Sequence, residues 1–186
     1  MLCLALMIFK SYNSQTVTLT RALLQEWLGN EINNAAIYLN GRGISAIHPD
    51  AFSGLNNLKE LYLYGNELTD IDDKVFSQVP NLVHLDLFNN EIKTISPNAF
   101  KSLTNLRELY LEENNLNSLN SNLFSALTQL RYLHLNDNKI IAIDRLVFVG
   151  LLNLEEVYLG NNPITILEED FVLTLCKTNP KCVIKV

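Results

Sequence analysis

The side chains that could carry out chemistry in this sequence are three histidines, three cysteines and twenty acids among 186 residues. His84 and His134 could ligate a metal or transfer a proton, and Cys176 and Cys182 could ligate zinc or form a disulfide. None of them lies in a spacing typical of catalysis, because the sequence contains no Gly-rich phosphate loop, no GxSxG and no HExxH. We therefore expect no enzyme active site, no metal and no cofactor.

A period of 24 residues organises most of the chain and must position these side chains. It is seen first in a leucine column, at Leu58, Leu82, Leu106, Leu130 and Leu154. Columns of asparagine and phenylalanine follow at fixed distances: Asn66, Asn90, Asn114, Asn138 and Asn162, then Phe76, Phe100, Phe124 and Phe148. A degraded earlier copy begins at Asn34 and has Arg42 in the asparagine column. Such repetition is typical of a stack of similar coils whose outer copies act as caps.

The consensus of these columns, LxxLxLxxNxIxxIxxxxFxxLxN, resembles that of the leucine-rich repeat family over about residues 34–175. The period and the phenylalanine column are similar to the class found in Toll-like and insect immune ectodomains and in small matrix proteoglycans. The resemblance implies an α/β-type repeat: a leucine-rich repeat solenoid of about six coils, with a short parallel β-sheet on the concave face and a mostly irregular convex side. It also implies a protein that binds other molecules and does not catalyse reactions.

Each column has a physical role in such a coil. The last two leucines of LxxLxL alternate, so both point to one face of a short strand and form the core. The asparagine is expected to turn inward, where its amide bonds free backbone groups of its own coil and of the neighbouring coil. With strands about 4.8 Å apart, His84 and His134 lie two coils and roughly 10 Å apart, which is too far to share a metal.

Four segments follow from this frame. They are a signal peptide or N-terminal cap strand (1–15), an N-terminal cap with a short helix (16–33), the repeats (34–175) and a C-terminal cap segment (176–186). The helix is predicted to begin after Thr20 as its N-cap and to stop at Gly29. No apolar run reaches the roughly 18 residues that span a bilayer, so we expect no membrane span.

The cysteines and the first segment bear on where the protein works. The first nine residues form an apolar run of the size of a signal-peptide core, and removal of this segment would take Cys3 with it and leave an even pair. The spacing of Cys176 and Cys182 allows a small disulfide loop, although extracellular members of the resembled family often end in a four-cysteine cap. We expect a secreted protein with a Cys176–Cys182 disulfide. The alternative is a cytoplasmic scaffold or inhibitor whose cysteines stay reduced.

The outward residues of the strands are expected to form the ligand-binding face, and they are rich in aromatic and acidic side chains. The predicted contact residues are Tyr38, Tyr62, Tyr64, His84, Asp86, Phe88, Glu108, Tyr110, Glu112, Tyr132, His134 and Tyr158. Aromatic rings supply affinity in protein interfaces, and interleaved acids supply orientation and steering. With a net charge of −6 and no Lys/Arg cluster, we predict a protein ligand with a neutral or basic surface, or alternatively a glycan, and no nucleic acid. The predicted function is extracellular recognition of immune or matrix type.

Overall fold

A computed structural model describes residues 16–165 and 183–185 of the chain. Within them the backbone winds into a parallel-strand solenoid of about six turns. We number its coils as coil 1 (34–57), coil 2 (58–81), coil 3 (82–105), coil 4 (106–129), coil 5 (130–153) and coil 6 (from 154). The predicted signal segment and the predicted Cys176–Cys182 disulfide lie outside the described residues.

The N-terminal cap begins with strand β1 (Val17–Leu19), followed by helix α1 (Arg21–Leu28) and a 3₁₀ helix (Gly29–Asn33). The predicted helix is therefore present. The hydroxyl of Thr20 accepts a hydrogen bond from the N–H of Leu23, as an N-cap residue does, and Gly29 ends the helix at a φ of 52°. Leu24 is fully buried in the core, so the helix contributes an apolar face to the end of the stack.

The coils are built from short strands. In chain order they are β2 (Ala36–Tyr38), β3 (Ile44–Ile47), β4 (Glu60–Tyr62), β5 (Asp70–Ile71), β6 (His84–Asp86), β7 (Thr94–Ile95), β8 (Glu108–Tyr110), β9 (Tyr132–His134), β10 (Glu156–Tyr158) and β11 (Val183–Lys185). One parallel sheet, ordered β11-β10-β9-β8-β6-β4-β2, lines the concave side, and the pairs β1–β3 and β5–β7 lie outside it. A second 3₁₀ helix (Arg145–Phe148) lies in coil 5. The expected architecture is confirmed: a parallel sheet on one side and mostly irregular chain on the other.

A ladder of asparagines holds neighbouring coils together, as the repeat predicts. The Nδ2 of Asn114 donates to the carbonyl of Leu111 in its own coil (3.2 Å) and to that of Leu87 in the preceding coil (3.0 Å). Its Oδ1 accepts from the N–H of Ile92, also in the preceding coil (2.9 Å). The same buried arrangement recurs at Asn66, Asn90 and Asn138. These amides satisfy backbone groups that the chain leaves free where it turns out of the strand.

The phenylalanine column forms a spine on the wall opposite the sheet. Its rings stack in succession with centroids 6.1–6.3 Å apart, and all are buried. The members of this Phe spine are Phe52, Phe76, Phe100, Phe124 and Phe148. Strands in a sheet lie only about 4.8 Å apart. Each coil is therefore thicker at the spine than at the sheet, and the stack curves with the sheet on its inner side.

The residue immediately before the asparagine column has a left-handed backbone in every coil. These residues are Gly41, Gly65, Asn89, Glu113, Asp137 and Asn161, with φ between 51° and 68°. Glycine and asparagine adopt this region readily, whereas a residue such as Glu113 is strained there. This column is hard to find in the sequence because its residue types differ from coil to coil.

Candidate ligand-binding face

The concave sheet presents one continuous row of rings, which we call the ring ladder. Successive ring centroids are 4.2–5.1 Å apart, within stacking distance. From coil 1 to coil 6 the ladder consists of Tyr38, Tyr62, His84, Tyr110, His134 and Tyr158. Strands about 4.8 Å apart bring equivalent side chains of neighbouring coils together, so the repeat converts separate residues into one aromatic surface.

Coil 3 keeps the ladder continuous by an exchange of positions. Its middle strand position holds Asp86 where most of the other coils have a tyrosine. The ring of His84, two residues earlier, fills the gap and lies 4.7 Å from the ring of Tyr62 and 5.1 Å from that of Tyr110. A carboxylate oxygen of Glu108 lies 2.9 Å from its Nδ1 and fixes the ring. The sequence predicts His84 as a contact residue but does not predict that it joins this row.

The two ladder histidines do not converge on a common point. The ring of Tyr110 stands between them, 5.1 Å from His84 and 4.6 Å from His134. Within the described residues no group of three or more histidine, cysteine or acidic side chains is placed to hold a metal ion. The histidines therefore contribute ring surface and polar edges to this face.

Glutamates on one side of the ladder engage its polar edges. The phenols of three ladder tyrosines donate to the glutamate two residues earlier in the same strand: Tyr62 to Glu60, Tyr110 to Glu108 and Tyr158 to Glu156. Burial, with the bond to Glu60, raises the pKa of Tyr62 to about 12, and burial raises the pKa of Tyr110 as well. The phenols of Tyr62 and Tyr110 therefore stay protonated at neutral pH. The hydrogen bonds of all three tyrosines set their orientation before any ligand arrives.

The other side of the ladder holds acceptors that lack donors. The side chain of Glu112 is 17% exposed, and its Oε2 atom is buried without a hydrogen-bond partner among the described residues. The same holds for the Oδ1 atom of Asn136, at the equivalent position of the next coil. A buried acceptor without a donor costs about 1–3 kcal/mol. A bound group that supplies donors at this point would recover part of that cost.

The ionisation of Glu112 follows from the same surroundings. Burial raises its pKa to about 7, and repulsion from Asp86, Glu113 and Asp137 acts in the same direction. Burial also raises the pKa of Asp86. The Nδ1 atom of His134 lies 3.9 Å from Oε1 of Glu112, but burial lowers the pKa of this histidine. Near neutral pH the histidine is thus mostly uncharged and does little to stabilise the carboxylate.

Three predicted contact residues lie beside the ladder. Tyr64 and Phe88 occupy the strand position after it in coils 2 and 3, and Tyr64 is exposed. Tyr132 occupies the position before it and turns to the edge of the sheet, where its hydroxyl donates to Glu155 (3.1 Å). The guanidinium of Arg131 lies 5.4 Å from the centre of the Tyr132 ring. Tyr132 therefore forms the rim of the face.

Lys185 is a member of this face that the sequence did not reveal. Its Nζ lies 4.3 Å from the centre of the Tyr158 ring and 2.8 Å from Oε2 of Glu156, so a cation closes the ladder at coil 6. The bond to Glu156 raises the pKa of the lysine and lowers that of the glutamate. In the pairing of β11 with β10, Glu156 lies opposite Val183. The two residues are 27 positions apart in the sequence, whereas paired residues of neighbouring repeats are 24 apart.

A separate groove of about 820 Å³ runs along the flank of the solenoid, beside the starts of the strands. Its lining includes Lys59 and Arg107 and a row of side-chain amides, which belong to Asn33, Asn34, Asn56, Asn57, Asn81, Asn105 and Gln129. Some of these amides already serve the fold: the side-chain amides of Asn81 and Asn105 donate to backbone carbonyls of the preceding coil, at 2.9 and 3.2 Å. The flank is therefore partly used in holding the coils together.

The family assignment rests on the repeated coil and on its sequence pattern. A family model described as leucine rich repeat matches residues 35–92 and 80–140, and one described as leucine rich repeats (2 copies) matches residues 128–171. The chain belongs to the leucine-rich repeat family. Its consensus, its sheet and its asparagine ladder agree with that assignment coil by coil.

Solved structures similar to this leucine-rich repeat chain include two receptor complexes. The TLR13–ssRNA13 complex has 39% identity and a TM-score of 0.66 over 72% of this chain and 18% of that chain. The Toll–Spatzle complex of Drosophila, described as a hub in development and innate immunity, has 27% identity and a TM-score of 0.78 over 90% of this chain and 23% of that chain. Its glycosylated form gives the same values. No curated protein sequence gives a match.

These comparisons refine the expectations about partners. This leucine-rich repeat chain spans less than a quarter of the length of either receptor chain. Repeats of this kind typically serve as recognition modules and not as enzymes, and a protein ligand agrees with the Toll–Spatzle complex. The TLR13 structure contains single-stranded RNA, so the sequence-based exclusion of nucleic acid has no support from the comparisons. No helix among the described residues is long and apolar enough to span a membrane.

Proposed function

We propose that this leucine-rich repeat chain is a non-catalytic recognition module that binds a protein ligand on its concave face. The observation that carries the proposal is the ring ladder, a row of six rings across six coils. The coils are stabilised by the buried leucines, the asparagine ladder and the Phe spine, and none of these requires rings on the outer side of the sheet. Oriented amphipathic rings at the centre of a surface are typical of binding hot spots.

The charge of the face indicates the kind of protein. Asp86, Glu112 and Asn136 place acceptors beside the ladder, and two of their buried oxygens lack donors among the described residues. A lysine or arginine of the ligand supplies such donors together with a compensating charge. The ligand surface is therefore basic. A glycan, which supplies hydroxyl donors and stacks on tyrosine rings, is the alternative ligand class; the phosphates of RNA would meet these acids with repulsion.

The test begins with a ligand search and ends with matched variants. The immobilised chain is screened against a collection of secreted proteins, with heparan sulfate and single-stranded RNA as separate probes. For the protein that binds, we expect Tyr110→Ala to weaken affinity about 30-fold, which corresponds to about 2 kcal/mol at a hot spot. Association should also slow as salt rises, because the acids steer a basic partner.

The control lies on the opposite side of the molecule. Lys101 is exposed on the convex surface. When the affinities of the variants for the same ligand are measured by calorimetry, Lys101→Ala should bind like the parent. Parent-like binding by Tyr110→Ala together with loss in Lys101→Ala would place the site on the convex side. Capture of RNA or heparan sulfate with equal affinity by parent and Tyr110→Ala would also contradict a protein-binding concave face.

The setting that we propose for this recognition is extracellular. The Toll-type structures support an extracellular or receptor-type protein, and an immune or matrix role is the corresponding function. In this setting the first segment is cleaved and Cys176 is bonded to Cys182. Intact-mass analysis of protein secreted into the medium should show both features. Two thiols that react with a maleimide under native, non-reducing conditions would instead favour a cytoplasmic scaffold or inhibitor.

A further inference from the structure

The groove of about 820 Å³ on the flank of the solenoid, which we call the flank groove, lies between two columns of the repeat. One column holds the side-chain amides that come just before the first leucine of each coil, among them Asn57, Asn81 and Asn105. The other column holds the residues just after that leucine, which are Lys59, Val83 and Arg107 in coils 2, 3 and 4. Because both columns recur in every coil, the groove continues along the stack from coil 1 to coil 4.

The floor of the flank groove is backbone whose hydrogen bonds are already made. The N–H of Val83 donates to the carbonyl of Lys59 (2.7 Å), and the N–H of Arg107 donates to the carbonyl of Val83 (2.9 Å). These bonds hold the column at the spacing of the sheet, so neighbouring coils lie about 4.8 Å apart there. A ligand in the groove therefore meets oriented side chains above a bonded backbone.

The amides of the groove keep part of their hydrogen-bonding capacity. Asn81 and Asn105 each donate one N–H to a backbone carbonyl of the preceding coil, which fixes their side chains. Their Oδ1 atoms and remaining N–H groups have no partner in the part of the chain that the structure describes. An amide carries the same donor and acceptor as a peptide group, so this row can pair with the C=O and N–H groups of an extended peptide.

Lys59 and Arg107 give the flank groove a positive charge. Both are exposed, and neither forms an ion pair within residues 16–165 and 183–185. No acid is among the described residues that line the groove. In a chain with net charge −6, the groove is thus a local positive surface that attracts an anionic ligand.

The next cation of the same column shows which anion fits. In coil 5 the column holds Arg131, and in coil 6 it holds Glu155. Arg131 donates to both carboxylate oxygens of Glu155, from Nε and from Nη2, each at 2.9 Å. Arg107 occupies the same position two coils before Glu155, but the residue that follows it in the column is Arg131, so the repeat offers it no carboxylate. A carboxylate of another molecule can form the equivalent paired bonds with Arg107.

The distance between the two cations favours one conformation of the ligand. Lys59 and Arg107 are two coils apart, which is roughly 10 Å along the groove. In a polyproline II helix, side chains three residues apart lie on the same side and about 9.3 Å apart, because the helix has three residues per turn and rises about 3.1 Å per residue. This helix has no internal hydrogen bonds, so its backbone groups are available to the amides.

We propose that the flank groove binds an acidic peptide segment of another protein in the polyproline II conformation, with carboxylates three residues apart on Lys59 and Arg107. The described lining contains no aromatic side chain, so RNA bases and glycan rings would find no stacking surface there. The site does not depend on the proposed function, because the ring ladder carries acids beside it and favours a basic surface. The two sites would therefore take ligands of opposite charge.

Calorimetry of the full chain with a synthetic peptide tests the proposal. The probe has about four Glu-Ala-Pro repeats, since proline favours the polyproline II conformation, and the control peptide has glutamine in place of glutamate. The acidic peptide should bind at least about tenfold more tightly than the control peptide. The flank variant, Lys59→Val with Arg107→Val, should bind the acidic peptide at least about tenfold more weakly than the parent. Coil 3 already has valine at this position, and a circular dichroism spectrum like that of the parent should verify the fold.

The matched control removes two positive charges from the convex side instead. Lys93→Asn with Lys101→Ser introduces the residues that coil 4 has at these positions, and this variant should bind the acidic peptide like the parent. Tyr110→Ala should also bind it like the parent, because the ring ladder lies on a different face. These two results, together with weaker binding by the flank variant, would support the site.

Four outcomes would overturn the proposal. The parent fails to bind the acidic peptide, or it binds the glutamine peptide equally well. The flank variant binds the acidic peptide like the parent. Tyr110→Ala loses the peptide while the flank variant keeps it, which assigns the peptide to the concave face. Heparan sulfate or single-stranded RNA binds in place of the peptide and is lost in the flank variant, which assigns the groove to another class of anion.

Discussion

Two rows of rings run through this solenoid, and they differ in composition, spacing and exposure. The Phe spine repeats one residue type, is fully or almost fully buried, and has centroids 6.1–6.3 Å apart. The ring ladder mixes tyrosine and histidine, is partly exposed, and has centroids 4.2–5.1 Å apart. The spine is uniform because each coil presents the same cavity to fill. The ladder varies because the fold requires only its spacing, which leaves its side chains available for the proposed binding.

The largest effect expected from this comparison is on stability. Phe100→Ala should lower the free energy of unfolding by about 3–5 kcal/mol, because it opens a cavity in the middle of the spine. Tyr110→Ala should cost about 1 kcal/mol, mainly from lost stacking in the ladder. Urea titration of both variants measures the difference. Equal losses would mean that the exposed row is as structural as the buried one and would weaken its assignment to binding.

The asparagine ladder gives the next largest effect, and it tests the repeat frame at neighbouring residues. Asn114→Ala removes donors to two coils and leaves the N–H of Ile92 without its acceptor, so we expect a loss of about 1–3 kcal/mol. Asn115→Ala is the matched control, because this side chain lies outside the column. Thermal unfolding midpoints that shift equally in the two variants would contradict the frame.

The buried columns of the repeat, including the Phe spine, could be predicted from the sequence. The exposed ring ladder could be predicted only in part. Leucine, asparagine and phenylalanine recur at one period because each fills a position that every coil repeats. The ring contacts of His84 depend on two residues that break the repeat. His84 stands where coils 2, 4 and 6 have a glutamate, and Asp86 stands where most of the other coils have a tyrosine, so neither leaves a periodic signal. Lys185 could not be predicted as a member of the face, because β11 pairs with β10 outside the 24-residue register. The Oδ1 atom of Asn136 is buried without a donor among the described residues. Such burial is produced by neighbouring residues and cannot be predicted from the residue type at one position.

Glu112 makes the stability of the exposed face depend on pH, because this acid beside the ring ladder is largely buried. Its folded-state pKa of about 7 lies above the ordinary 4.5, so between these values the folded chain binds more protons than the unfolded chain. Stability contributed by the protonated form is therefore lost as pH rises through 7. Glu112→Gln should be more stable than the parent by about 1–2 kcal/mol at pH 8. The difference should vanish near pH 4.5 and below.

The effect of Glu112 must be measured as the difference in stability between the parent and Glu112→Gln at each pH, because other groups near Glu112 also ionise. Asp86, Glu113, Asp137 and His134 are present in parent and variant alike, so subtracting the two stability curves largely removes their contribution. The pKa of His134 is lowered, which acts in the opposite direction: its stability contribution is lost as pH falls. A difference curve that is flat from pH 4 to pH 8 would show that Glu112 is solvated like an ordinary surface acid.

The smallest effect concerns the backbone beneath the acids. Glu113 has a φ of 52°, while the equivalent positions of coils 3, 5 and 6 hold Asn89, Asp137 and Asn161. Asparagine tolerates the left-handed region because its short polar side chain bonds locally, whereas glutamate is strained there by roughly 1 kcal/mol. Glu113→Asn should therefore stabilise the fold by about 0.5–1 kcal/mol, measured by urea titration.

The charge lost in that substitution must be separated from the strain it relieves, since repulsion from Glu113 helps to raise the pKa of Glu112. Glu113→Gln removes the same charge and keeps a side chain as poorly suited to the left-handed region. If backbone strain is the cause, Asn stabilises more than Gln at every pH. If repulsion is the cause, the two variants gain equally at pH 8 and lose that gain below the pKa of Glu112. Equal gains at both pH values would fit neither explanation and would show that the coil imposes no strain at this position.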